Sequence, residues 1–239
     1  LAFAASTLIC LWLFIVRERA VREPFLDVRI FASHRFSAAL GAFLLVNVIF
    51  MGILYLLPFY LATVMQYDSI AVSLCLLVPP AVIAIISIPF GRWSDRAGRR
   101  VFILAACIIT FIYSAIFAII SPGADIALLL TTLFLMGASF GIASAPASGR
   151  IVETAPRGME STASSLLMTV IYFGGVLGTA IYAAIFTMAT MDAGTVVDFA
   201  WLTKPALLSG FHVTAAAGLL LCILAIVLAA AVGDPVTEG

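Results

Sequence analysis

Charge is what this chain has least of. Lys and Arg together number 12 and Asp and Glu 12 in 239 residues, so the formal net charge is zero. That balance excludes the broad basic field a nucleic-acid-binding surface needs, and no nucleic-acid partner is expected. Histidine occurs only at His34 and His212, and neither has a second histidine or a carboxylate at ligand spacing. Both read as interfacial side chains, and no metal is expected. The four cysteines, Cys10, Cys75, Cys107 and Cys222, fall in four different apolar stretches without a C-x-x-C pair. This excludes a zinc cluster or disulfide framework and leaves small membrane hydrophobes.

What the chain has instead is apolar sequence: 64% of it is hydrophobic, with a mean hydropathy of +1.22. A soluble domain cannot hide that much apolar surface, so the composition points to a multi-span membrane protein. Seven apolar runs can be read, at 1–16, 37–63, 70–90, 101–121, 126–148, 161–190 and 210–232. A helix needs ~20 residues to cross the hydrocarbon core, and all but the first run have them. The first begins at Leu1, inside the run. It reads as the end of a truncated helix, with sequence missing upstream. A signal peptide would carry its positive flank before the run, whereas here the arginines follow it.

The arginines are gathered, not scattered. Arg17, Arg19, Arg22, Arg29 and Arg35 follow the first run; Arg92, Arg96, Arg99 and Arg100 the third; Arg150 and Arg157 the fifth. Lys204 is the only basic residue in an even-numbered connection. Basic loops stay cytoplasmic, and alternate crossings put all odd connections on one side, so span count and charge agree. The C-terminal tail, 233–239, is expected in the cytoplasm. The linker 17–36 interleaves Phe25, Leu26, Val28, Ile30 and Phe31 with Arg and Asp. It reads either as an amphipathic segment on the bilayer surface or as a solvated linker with anchoring aromatics. Trp93 and Trp201 flank spans, where indole rings favour the interface.

No Asp, Glu, Lys or Arg lies within the core of any run. An intramembrane enzyme would need convergent nucleophile, base or metal ligands, and a proton relay would need a titratable group. The spans offer neither, so no catalytic residue, enzyme activity or cofactor is expected. Polar and small residues concentrate in two runs. The second has Asn47, Met51 and Tyr55 on one helical face; the sixth has Ser165, Met168, Tyr172, Gly175 and Thr179 at steps of three and four. The fourth and seventh runs are almost uniformly aliphatic. The stripes fit a cavity wall, with Asn47, Met51, Tyr55, Met168 and Tyr172 as candidate substrate contacts, or helix–helix packing. Two GxxxG pairs, Gly137–Gly141 and Gly174–Gly178, read as internal packing points. Pro79, Pro80 and Pro89 remove backbone donors from the third run and are expected to bend it.

One short stretch is specific. "GRWSDRAGRR", 91–100, reads G-x-x-x-D-R-x-G-R-R. Gly91 is expected to end one helix, Gly98 to allow a tight return, and Asp95 to lie near the start of the next, four residues before Arg99. The arginines anchor the loop on its side of the membrane; a shielded Asp–Arg network could also bias one state of a bundle over another. The stretch resembles the loop signature between the second and third helices of a bundle in the major facilitator superfamily. "LPFYLATV" at 57–64, "LLVPPAV" at 76–82 and "PFGRWSDRAGRR" at 89–100 follow in the order seen in its fourteen-helix drug:proton antiporter family. "PFLDVRIFASHRF" and "STASSLLMTVIYFGGVLGTAI" resemble other parts of that family. Ala62, Ile70 and the pair Ile171–Tyr172 depart from it, where Gln, Pro and Arg-Gln are frequent.

The resemblance implies an all-α integral membrane protein. It would be a C-terminal six-helix bundle, 37–232, preceded by the end of a spacer helix, 1–16. The first, second, fourth and fifth helices of the bundle would line a cavity. The implied function is the C-terminal half of a proton-coupled exporter of amphipathic or cationic drugs, working by alternating access. Its partners would be a small-molecule substrate, the lipid bilayer, and protons carried through a missing N-terminal half. Gly91, Asp95, Arg96, Gly98, Arg99 and Arg100 would form a conformational-switch loop. A major facilitator carrier of another solute and a non-transporting membrane scaffold are the alternatives.

Overall fold

The computed structural model describes residues 6, 9–10, 12–13, 16–17, 28–121, 123–153, 155, 158–190 and 204–231. Among these, six helices are long and apolar enough to cross a membrane, and there is no strand. They are α1 (His34–Phe59), α2 (Ser69–Ala97), α3 (Arg99–Ile119), α4 (Ile126–Glu153), α5 (Glu160–Thr190) and α6 (Lys204–Ala231). The described residues of the first run are helical and exposed. Trp201, Arg157, residues 18–27 of the linker and the tail 233–239 lie outside the described residues.

Local chemistry sets the ends. Ser33 caps α1 by accepting from the Phe36 N–H, and Asp68 caps α2 by accepting from the Ala71 N–H at 3.0 Å. Such side chains satisfy donors that a helix start leaves open. A π-helical turn, Tyr60–Val64, continues α1, and the chain then turns at Gln66 with φ +59°. The Gln66 amide donates to the Thr63 carbonyl at 2.6 Å, occupying an acceptor at the helix end. α2 remains helical through Pro79, Pro80 and Pro89.

α1 and α4 form the centre. In their most apolar stretches 67% and 56% of residues are buried, against 17% in α2. α5 packs along α1, and α2 packs along α4. α3 lies against α4 and α6, and α6 against α1. Exchanging the first three helices for the last three maps these five pairings onto themselves, the pattern that an inverted repeat gives, although α5 also packs on α6 more closely than α2 does on α3. α3 and α6 pair with each other; α2 is the most exposed helix, and α5 and α6 are buried to the same extent.

The GxxxG pairs pack inside the bundle, as expected. A Cβ on Gly137 would stand 2.6 Å from the Pro79 carbonyl oxygen, and one on Gly141 would stand 3.4 Å from Ile83 Cα. Gly174 and Gly178 bring α5 onto Asn47 and the Val48 carbonyl of α1. Small residues matter here because apolar burial barely distinguishes a helix neighbour from lipid.

Two expectations need correction. Gly91 does not end a helix: it lies within α2, and its missing Cβ allows approach to Ala145 of α4, where a Cβ would meet Ala145 Cβ at 3.0 Å. The break is Gly98 alone, whose φ of +92° suits glycine. Asp95 therefore sits in the last turn of α2, not at the start of the following helix. At the described end of the linker, Ile30 is buried while Phe31 and Ala32 are exposed. Val28–Ala32 is one 3-10 turn that buries Ile30 in the same apolar cluster as Phe36, Ile151 and Ala163.

Candidate functional site

The charged residues meet at one end of the bundle. There the C-terminal turn of α2, the first turn of α3 and the last turn of α4 converge. The Arg99 guanidinium donates to Asp95 Oδ1 from Nη2 at 2.9 Å and from Nε at 3.2 Å. Its Nη1 donates to Glu153 Oε2 at 3.1 Å. Arg150, buried, reaches the same Glu153 oxygen from Nη1 at 3.4 Å. The Arg99 fork lies flat on Gly149, where a Cβ would stand 2.7 Å from Cζ.

These charges are misplaced for their own helices. Asp95 and Glu153 stand at helix C-termini, where the dipole disfavours an anion; Arg99 stands at an N-terminus, where it disfavours a cation. Each helix alone would be better off without them. Together they compensate one another and join three helix ends. Arg100 works separately: its Nη2 donates to the Ala230 carbonyl at 2.9 Å, occupying an open acceptor at the end of α6. Arg96 is exposed.

Sequence reading found Asp95 and Arg99 but not Glu153, and it counted Arg150 only as a topology marker. The available signal was R-x-x-E at 150–153, closing an otherwise uncharged run.

Beside this network a wide pocket of about 560 Å³ opens between α3, α4 and α5. Arg99, Ser148, Glu153, Ser164, Leu167 and Met168 line it. Of the candidate cavity residues, Met168 is thus at the pocket wall. Tyr172, one turn along α5, is 73% exposed and Met168 54%. On α1, Tyr55 is 37% exposed, and Met51 is half-buried against Gly175 of α5. The four stand on adjoining stripes of two packed helices. Asn47 is different: it has no exposed surface, and its amide is spent on backbone carbonyls of α5. Among the described residues no cluster of side chains could hold a metal ion.

The model of the Major Facilitator Superfamily matches residues 1–179. The chain belongs to the Major Facilitator Superfamily. Its similarity to individual members of that superfamily is moderate. It is 28% identical over 186 residues to the drug efflux pump JefA of Mycobacterium tuberculosis, covering 77% of this chain and 36% of JefA. It is 29% identical over 206 residues to the methylenomycin A resistance protein of Bacillus subtilis, covering 84% and 43%. It is 25% identical over 186 residues to the riboflavin transporter RibZ of Clostridioides difficile, covering 77% and 40%. The chain therefore spans about two fifths of the length of the curated relatives it matches. Six spanning helices and this membership make it a multi-pass membrane protein of a transporter superfamily.

Proposed function

We propose that the chain is the C-terminal half of a proton-coupled exporter of amphipathic or cationic drugs, in the fourteen-helix drug:proton antiporter branch. In this reading 1–16 ends a spacer helix, 17–36 is a cytoplasmic linker, 37–232 is the transporter bundle and 233–239 a cytoplasmic tail. The arginine-bearing end faces the cytoplasm, as the positive-inside rule directs. The small-molecule substrate contacts Met51, Tyr55, Met168 and Tyr172, with Asn47 behind them. Protons are carried by carboxylates of the other half, since no charged side chain lies mid-span here.

The observation that carries this reading is the exposed thioether of Met168 on the wall of a pocket rimmed by Arg99 and Glu153, with the exposed phenol of Tyr172 one turn further along α5. Methionine and aromatic faces adapt to varied apolar ligands. Asp95 and Arg96 at the end of α2, the break at Gly98, and Arg99 and Arg100 at the start of α3 form the switch, in which ion pairs made and broken at helix ends bias one arrangement of the two halves, while Gly91 supports it as a packing point.

The test is ethidium efflux from energised cells expressing the natural full-length polypeptide, with Met168→Ala and Tyr172→Ala beside it. Efflux that needs the proton gradient and weakens in both variants is the expected result. Efflux indifferent to both variants would remove these residues from the pathway. The likeness to RibZ supports a second reading, a carrier of another small solute; uptake or efflux of riboflavin without ethidium efflux would favour it.

A further inference from the structure

Between Ser37 and Tyr55, Asn47 is the only polar side chain of α1. It is fully buried. Its Nδ2 donates to the Ile171 carbonyl at 2.6 Å and lies 3.4 Å from the Val170 carbonyl. Both carbonyls belong to α5, and in a regular helix they accept from the N–H groups of Gly175 and Gly174. α5 therefore does not depend on Asn47 for its own hydrogen bonds. The amide uses second lone pairs, so the contact is purely between helices.

Gly174 makes the contact possible. A Cβ there would stand 2.9 Å from Asn47 Nδ2 and 3.2 Å from Leu44 Cδ1. The contact is also incomplete: Asn47 Oδ1 is buried and has no hydrogen-bond partner. A buried acceptor left open costs about as much as bonds of this kind return, so stability alone does not explain an asparagine here. Leucine would fill a similar volume with neither the bond nor the orphaned oxygen.

We propose that Asn47 is a positioning residue that pins α5 to α1 at Ile171 and thereby sets where α5 presents Met168 and Tyr172. Those side chains lie three residues before and one after the pinned carbonyl. Along Gly174, Gly175 and Gly178 the α5 surface carries no side chain that could interlock with α1, and the steric lock of the seam, Tyr182 over Gly52, lies more than two turns beyond Ile171. A directional bond from a short, buried side chain restricts that sliding. The pin concerns the α1–α5 seam whatever solute is carried, so it does not depend on the export reading.

The test uses the natural full-length polypeptide with Cys10→Ser, spin-labelled at Ala62→Cys on the π-helical turn that continues α1 and at Ala180→Cys on α5, both exposed positions. Distances between the labels are read by pulsed electron paramagnetic resonance, and the unfolding midpoint is measured in the same detergent. The expected result is one narrow distance population in the parent. Asn47→Leu should yield a broadened distribution or a second population, with an unchanged or raised midpoint. Gly174→Ala, which displaces the amide and crowds Leu44, should broaden the distribution with a lowered midpoint, and the double variant should be no broader than either single one. Asn47→Leu with the parent's narrow distribution would overturn the proposal. Broadening in Asn47→Leu accompanied by a lowered midpoint would also overturn it, because it would mean general loosening. Should Gly174→Ala fail to fold, Asn47→Leu alone decides.

Discussion

Arg99 Nη1 lies 3.1 Å from Glu153 Oε2, across 54 residues of sequence, while its Nη2 lies 2.9 Å from Asp95 Oδ1. One guanidinium therefore ties the end of α2 to the end of α4 from the first residue of α3. The planar fork holds directed N–H donors towards both carboxylates at once.

Asp95→Asn and Glu153→Gln should each slow energised efflux in the full-length polypeptide while leaving expression near the parent's. Both acids are largely exposed, so each change should cost only ~1 kcal/mol or less of stability. Efflux rate and unfolding midpoint, measured on the same preparations, separate the two effects. Parental rates in both variants would leave the network with an anchoring role only.

Gly178→Ala should destabilise the bundle. A Cβ there runs into the Val48 carbonyl, which is backbone and cannot swing aside. Overpacking of this kind costs ~1–3 kcal/mol. Gly123→Ala is the control, because nothing lies within 4 Å of its Cβ. Thermal unfolding in detergent should lower the midpoint of the first variant and leave that of the second near the parent's; equal midpoints would contradict the close α1–α5 crossing.

Cysteines introduced at Arg96 and Gly123 should react with a membrane-impermeant maleimide from opposite sides. The two positions lie at opposite ends of the helix pair α3–α4. Arg96→Cys should be labelled only in inside-out vesicles, and Gly123→Cys only in right-side-out ones. Labelling of both from one side would refute the alternating topology.

Residues 1–239 expressed alone should insert but not transport. Alternating access moves two bundles around a shared site, and six helices account for one bundle. A cationic solute also needs a counter-charge that these spans lack. The measurement is gradient-driven uptake of ethidium into inside-out vesicles containing only this segment. Robust, gradient-dependent uptake would mean that copies of this chain build a complete carrier by themselves.

The number, order and approximate ends of the six helices were legible in the sequence. Crossing a membrane is a local property: each segment closes its own backbone hydrogen bonds, so length and hydropathy suffice to recognise it. The gathering of arginines at one end was legible for a similar reason, since each loop's charge acts on its own crossing. Ser33, Asp68 and Gly98 set helix limits from within a few residues.

What tertiary structure decided was which face of each helix meets which neighbour. In water, an apolar stripe points to the core. In a bilayer the exterior is as apolar as the interior, so periodicity along α1 or α5 does not tell a lipid-facing side from a buried one. Asn47 and Tyr55 share a stripe in sequence, yet Asn47 is buried and Tyr55 exposed, because α5 crosses α1 at its glycines. Gly91 looked like a helix end and is a packing point against Ala145. Glu153 found Arg99 only when α4 had packed beside α2 and α3. Such partners are set by the crossing of distant segments, and no window of neighbouring residues contains that information.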